Sequence, residues 1–248
     1  MSTDISWETY VDLRRAATAA SARALGQALA EMPGVISTAA PRDDAPDGSV
    51  FVHADPGSDA LTAFVRSVNP SYIEVAGGTG AALATLLNEG CEVTNELAVM
   101  FAATTSVSPG VHPTGVSMSS LAMDKAEDLN ELSDLLSTVE SIPLLDAINY
   151  CTELGGLDDL RIWVARDSTS QVVSSTGVRC FGSAGLVMLV QTHPNHRRRG
   201  IAGALVAHAL ESAGITTAFL VATPSGRGVY ERIGFRVVRP MLELAYSR

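Results

Sequence analysis

The order of local signals predicts an α+β protein built on a mixed, mostly antiparallel sheet flanked by helices. Three observations predict it. Short apolar runs bounded by glycine and other turn residues recur along the chain, as strands do. Between them lie alanine- and leucine-rich stretches with helical spacing, such as Leu129, Leu132, Leu135, Leu136 and Val139. In the second half the order reads β-α-α-β-β-β-α-β-α-β, and its three consecutive strands with short turns call for antiparallel neighbours.

Residues 7–32 contain no proline and one glycine, Gly26, and predict a single helix ended by Pro33-Gly34. Residues 40–58 are rich in Pro, Asp and Gly and frame a short strand near 49–53. Residues 59–68 read as helix, 72–76 as strand, 81–88 as helix and 92–102 as strand. Residues 106–115, with Pro109, Gly110, Pro113 and Gly115, form the best linker. The chain therefore divides into a smaller α/β half, 1–110, and a larger half, 111–248. The second half opens with a strand at 116–122, then an acidic helix at 124–141 that stops before Pro143. A second helix spans 144–154, and strands follow at 160–167, 171–181 and 185–192. A helix at 200–213, a strand at 217–223, a short helix at 227–233 and a strand at 235–245 close the chain.

At 248 residues and 25.9 kDa, the chain holds one large domain or two small ones. A formal net charge of −10 excludes a generally basic nucleic-acid binder. The charge is unevenly spread: −8 over residues 1–110, −9 over 124–159 and +7 over 160–248. Cys91, Cys151 and Cys180 lack metal-ligand spacing and read as inert thiols of a reducing compartment, with no metal expected. The first residues show no basic segment followed by an apolar one, and no apolar run reaches the ~20 residues that span a bilayer. A soluble cytoplasmic protein without membrane partners is the expectation.

The chemistry concentrates in residues 190–205, where a strand ends at Pro194, an Arg- and Gly-bearing loop follows and a helix begins. Unpaired amides and the positive dipole end at a helix N-terminus make an anion site. Gly200, Ala202 and Gly203 leave the backbone open to a phosphate, and Arg197, Arg198 and Arg199 add permanent positive charge. No Gly-Lys-Ser/Thr is present, so the loop is not an NTP-binding P-loop.

Arg197-Arg-Arg-Gly-Ile-Ala202 resembles the Arg/Gln-x-x-Gly-x-Gly/Ala signature of the GNAT family of N-acetyltransferases. Thr192-His-Pro194 resembles that family's strand-ending Val-x-Pro, 220–224 its fifth strand, and Tyr230-Glu-Arg-Ile-Gly-Phe235 its Tyr-x-x-x-Gly-Phe element. The resemblance covers roughly residues 116–248. It implies the acyl-CoA N-acyltransferase fold and acetyl-CoA as donor of the acyl group. By the same resemblance, Val190, Gln191 and Thr192 would meet pantetheine, and Arg197, Arg198, Arg199, Gly200, Ile201, Ala202 and Gly203 would cradle the pyrophosphate. Tyr230 would be the general acid that re-protonates the leaving thiolate. Many members carry a glutamate on the fourth strand as base, but 185–190 has no ionisable side chain. Asp146, Glu153, Glu140, His193 or a water chain remain as alternatives; His196 flanks the cradle, and Glu243 is placed to orient an amine.

The implied reaction is acetyl transfer by direct attack of a primary amine through a tetrahedral intermediate. The −9 segment falls where the family's helices wall the acceptor site, so a small cationic amine is the expected acceptor. Antibiotic amines, polyamines, amino-acid derivatives and protein amines all fit that description. Two other classes are carried: a non-catalytic acetyl-CoA-binding module, and an S-adenosylmethionine-dependent methyltransferase using the Gly77–Gly80 turn. The methyltransferase reading needs further alternating strands and helices that the chain lacks. A better account of 72–102 is an internal echo of 217–245, with Gly90 set on Gly234. It suggests that residues 1–110 are a degenerate partial acetyltransferase fold with no second acetyl-CoA site. Met241, Leu242 and Leu244 on the last strand offer a surface for a homodimer.

Overall fold

The structure, a computed structural model, describes residues 3–39, 49–68, 70–108 and 113–246. In chain order it contains α1 (Thr3–Leu25), β1 (Ala28–Met32), β2 (Val35–Ala39), β3 (Ser49–Val52), α2 (Ser58–Val68), β4 (Tyr72–Ala76), α3 (Gly80–Asn88) and β5 (Glu92–Ala103). These are followed by β6 (Val116–Leu121), α4 (Ala126–Glu140), α5 (Leu144–Gly155), β7 (Leu160–Asp167), β8 (Val172–Phe181) and β9 (Ala184–Thr192). Finally come α6 (Ile201–Ser212), β10 (Thr217–Ala222), α7 (Pro224–Arg232) and β11 (Arg236–Ala245). Mixed strands flanked by helices bear out the α+β expectation. The centres of the predicted turn-rich and linker segments, 40–48 and 109–112, lie outside the described residues.

Two compact units emerge. One holds Met1–Val99, Ala222–Ser225 and Val237–Arg248; the other holds Met100–Val221 and Gly226–Arg236. Compactness thus divides the chain elsewhere than the sequence linker does, because β11 is grouped with the early elements. β5 passes from the first unit into the second between Val99 and Met100.

In the first unit the strand order is β1-β2-β3-β4-β11-β5, with β3 parallel to β4 and β11 antiparallel to β4 through Met241↔Ala76 to Ala245↔Tyr72. Its core gathers Val35, Val50, Leu61, Val65, Ile73, Leu86 and Leu244. The single helix expected over 7–32 is corrected here. α1 stops at Leu25, Gly26 takes φ 65°, and the Gln27 amide donates to the Ala22 carbonyl at 2.8 Å. A left-handed glycine ends helices in this way. Residues 28–32 then pair with β2, Met32 facing Val35 across Pro33-Gly34, a proline–glycine hairpin turn rather than a helix stop. Pairing and burial override the helical propensity of Ala, Leu, Glu and Met. The dimer surface is corrected as well: Met241 and Leu244 are buried within the chain, because β11 is an interior strand.

In the second unit the order is β5-β10-β9-β8-β7-β6. β6 through β9 pair antiparallel in succession, and β9 and β10 run parallel, joined by α6. Leu132, Leu136, Ala147, Cys151 and Ile162 form the core under α4 and α5. α6 buries Ile201, Ala204, Leu205, Ala209 and Leu210 and packs on β7, β8 and β9. The two units therefore share a local plan. α2 links parallel β3 and β4 as α6 links parallel β9 and β10, and a short helix and a strand follow each pair.

Candidate active site

The site is built on the end of β9. Pairing with β10 runs from Thr217↔Ala184 to Leu220↔Val187 and stops, so residues 188–192 leave β10 behind. On its other edge β9 bulges against β8: Ser175 faces Gln191 and Gly177 faces Met188, leaving Leu189 and Val190 opposite the single residue Thr176. Leu189 carries the strain, with φ 53°.

The bulge is fastened from β8 by side chains buried in mid-strand. Ser175 Oγ donates to the Leu189 carbonyl at 2.8 Å, and Ser174 Oγ donates to the Gln191 carbonyl at 2.5 Å. Ser174 Oγ also lies 3.0 Å from Thr192 Oγ1. Val190 is thereby set between two fixed carbonyls. The polar run Ser174-Ser175-Thr176 is fully buried, and Thr176 Oγ1 has no hydrogen-bond partner among the described residues. The sequence signal for these three residues is a polar triplet flanked by Val172-Val173 and Val178.

Beyond β9, the His193 amide returns to the Val173 carbonyl at 2.8 Å, and Pro194–His196 forms a 3₁₀ turn. Arg197 Nε donates to the Thr192 carbonyl at 3.1 Å. Arg198 sits at φ 62°. Arg199 donates through Nη2 to the Thr114 carbonyl at 3.3 Å, and its Nη1 lies 3.1 Å from His196 Nδ1. Gly200 takes φ 76° ahead of α6, a conformation that favours glycine, and no side chain caps the helix. The first-turn amides of Ile201, Ala202 and Gly203 have no acceptor within the helix. Arg197, Arg198 and Arg199, all exposed, precede these amides in the chain, and free helix amides together with positive charge favour an anion. The residues present are of the kind a pyrophosphate needs: unspent amides, a glycine at the helix start and three arginines. Gly203 serves a different need from the one expected: a Cβ there would lie 3.0 Å from Ile233 Cγ2, so its small size lets α6 approach the chain after α7.

Tyr230 lies on α7, buried and 6.1 Å edge-on from the Phe235 ring. Burial pushes its phenol up to about 12, so the group holds its proton at neutral pH.

The candidate bases separate by position. Gln191 Nε2 donates to Glu140 Oε1 at 2.9 Å, tying the end of α4 to β9. Asp146 and Glu153 are exposed on α5. His193 Nδ1 accepts from the Asn195 amide at 3.3 Å and caps the turn. Glu243 belongs to the first unit, where Asn95 Nδ2 donates to it at 2.6 Å and Thr94 Oγ1 at 3.1 Å. Among the described residues no cluster of His, Cys, Asp and Glu is arranged to hold a metal, and no helix is long and apolar enough to cross a membrane.

Within the Gly77–Gly80 turn, Gly77 is packed against the chain itself. The Gly77 amide donates to the Pro240 carbonyl at 2.8 Å, and a Cβ at Gly77 would lie 2.6 Å from Pro240 Cγ. At the start of α3, Asp55 Oδ1 accepts from the Ala82 amide at 2.7 Å. The face of Gly77 and the Ala82 amide, two groups that a methyltransferase cofactor would approach, are thus already engaged.

Comparison with known proteins agrees with this geometry. Residues 158–237 match the acetyltransferase (GNAT) domain. No curated protein matches the chain. Among solved structures, a GCN5-related N-acetyltransferase from Kribbella flavida aligns with TM-score 0.66 at 15% identity, over 92% of this chain and 94% of its own. A tandem GNAT protein from the clavulanic acid biosynthesis pathway aligns with TM-score 0.59 at 15% identity, over 86% and 78%. A functionally unknown conserved protein from Staphylococcus epidermidis aligns with TM-score 0.67 at 10% identity, over 88% and 93%. The resemblance to the GNAT family thus holds in sequence over 158–237, and in fold over nearly the whole chain.

Proposed function

We propose that this protein transfers an acetyl group from acetyl-CoA to the primary amine of a small cationic molecule. One observation carries the reading: the bulged end of β9, no longer paired with β10, leads through a short loop bearing three arginines into an uncapped α6. Val190, Gln191 and Thr192 would hold the pantetheine arm, and the segment Arg197 to Gly203 the pyrophosphate. Acyl transfer needs an oxyanion donor and a proton for the departing thiolate. Backbone amide at the bulge suits the first role. Tyr230, protonated at neutral pH, suits the second. The amine attacks the acetyl carbon, a C–N bond forms, the C–S bond breaks, and the sulfur takes the phenolic proton. The phenolate regains a proton as the nitrogen loses one.

The test is thiol release from acetyl-CoA across a panel of amines, with Tyr230→Phe alongside wild type. Turnover is expected to fall about 10²–10⁴-fold, the range for removing a general acid, while calorimetric affinity for acetyl-CoA is kept. Unchanged turnover would remove Tyr230 from the mechanism. The lack of an ionisable side chain over 185–190 favours one rival, an acetyl-CoA-binding module without turnover. Tight binding with no thiol release from any amine would establish that rival.

The first unit we read as a degenerate copy of the same plan. Its counterpart of α6, α2, has Asp59 in its first turn where the cradle has arginines beside it. A carboxylate there disfavours phosphate.

A further inference from the structure

Glu140 closes α4, and Gln191 follows the bulge on β9. The carboxamide of Gln191 is committed to Glu140: Nε2 donates to Oε1 at 2.9 Å, although this leaves Gln191 Oε1 buried without a partner among the described residues. An amide turned this way sacrifices one buried oxygen to hold a carboxylate in place. The turn that carries Glu140 is fixed from within, since Ser137 Oγ donates to the Ile142 carbonyl at 2.8 Å. Glu140 itself is exposed, and no cation is paired with it among the described residues. The result is a positioned negative charge, tethered to the residue next to Val190 and belonging to the −9 segment 124–159. It lies outside the residues matched by the family domain.

We propose that Glu140, oriented by Gln191, receives a positive charge that the acceptor carries apart from its reacting, unprotonated amine and decides which acceptors the site takes. The assignment rests on the acetyl-transfer reading. Glu140 acts as a specificity-determining residue and Gln191 as a positioning residue. The ligand class is a primary amine that bears a second, cationic group, as a diamine does, and acceptors without such a charge gain nothing from the pair.

The experiment compares two acceptors by thiol release: putrescine, a dication, and O-methylhydroxylamine, an amine that is neutral at working pH. Glu140→Gln keeps an acceptor for Gln191 and loses the charge; Glu140→Lys reverses it; Gln191→Ala frees the carboxylate. Asp134→Asn removes an exposed charge elsewhere on α4 as the control. For putrescine, KM rises at least about threefold in Glu140→Gln and about tenfold in Glu140→Lys, on the scale of an exposed ion pair. Gln191→Ala moves KM the same way by less. KM for O-methylhydroxylamine, KM for acetyl-CoA and kcat stay near wild type in the Glu140 variants, and Asp134→Asn changes none of them. High salt narrows the gap between wild type and Glu140→Gln. Equal putrescine KM in wild type and both Glu140 variants, or an equal rise for both acceptors, overturns the assignment and leaves acetyl transfer standing. A wild-type protein that binds acetyl-CoA yet releases no thiol with any amine of the panel overturns the acetyl-transfer reading and this assignment with it.

Discussion

Ser175 and Thr176 are adjacent, equally buried and opposite in consequence. Ser175 satisfies the carbonyl of the strained Leu189, whereas the Thr176 hydroxyl satisfies nothing described. Replacing Ser175 by Ala strands a buried carbonyl and is expected to cost about 1–3 kcal/mol in chemical denaturation. It also loosens the bulge, so acetyl-CoA turnover falls with it. Thr176→Val removes an unpaired hydroxyl at nearly constant volume and is expected to leave stability unchanged or raise it by about 1 kcal/mol. Tyr230 offers a pH test. Its folded value is raised, so the unfolded phenol ionises near its ordinary value while the folded one waits until about 12. Stability should therefore fall as pH climbs through that interval, and fall less steeply in Tyr230→Phe. Ultraviolet difference titration of the two proteins reads the same group directly. Tyr10 and Tyr72, also raised by burial, add a background of the same sign that both proteins share. The strand–loop–helix junction at 190–205 was legible because a strand-ending proline, a run of arginines and a glycine precede a small-residue helix. The bulge was not, since a positive φ at a leucine leaves no mark in composition.

Elements were legible where one local signal decided them. The strand at 72–76 and most of those after residue 116 needed only apolar runs between glycines, and the structure places them within a residue or two. β1 was hidden because Ala, Leu, Glu and Met favour helix, and only pairing with β2 makes a strand of them. Gly203 shows the converse. It stands just past the signature, among small residues expected to open the backbone, yet its contact is with Ile233 rather than with open space. Gly203→Val is expected to overpack this junction and cost about 1–3 kcal/mol in thermal unfolding. Gly203→Ala should cost less, because a single methyl needs only a few tenths of an ångström from Ile233.

Over the whole chain, charge follows the division of labour. Residues 160–248, which include the three arginines ahead of α6, hold the net +7, and the acids of 1–110 fall where the plan is repeated without arginines at the helix start. Calorimetric titration is expected to count one acetyl-CoA per chain; two would refute the degenerate reading of the first unit. The placement of β11 bears also on biosynthesis. The unit that begins at Met1 is finished only by Val237–Arg248, whereas the other has all its residues at Arg236. A chain growing from a ribosome must then complete its later unit first. Until the last dozen residues emerge, β4 waits with its β11 edge bare, and bare edges invite association between nascent chains. The segment up to Val99 is synthesised before the second unit and sealed after it.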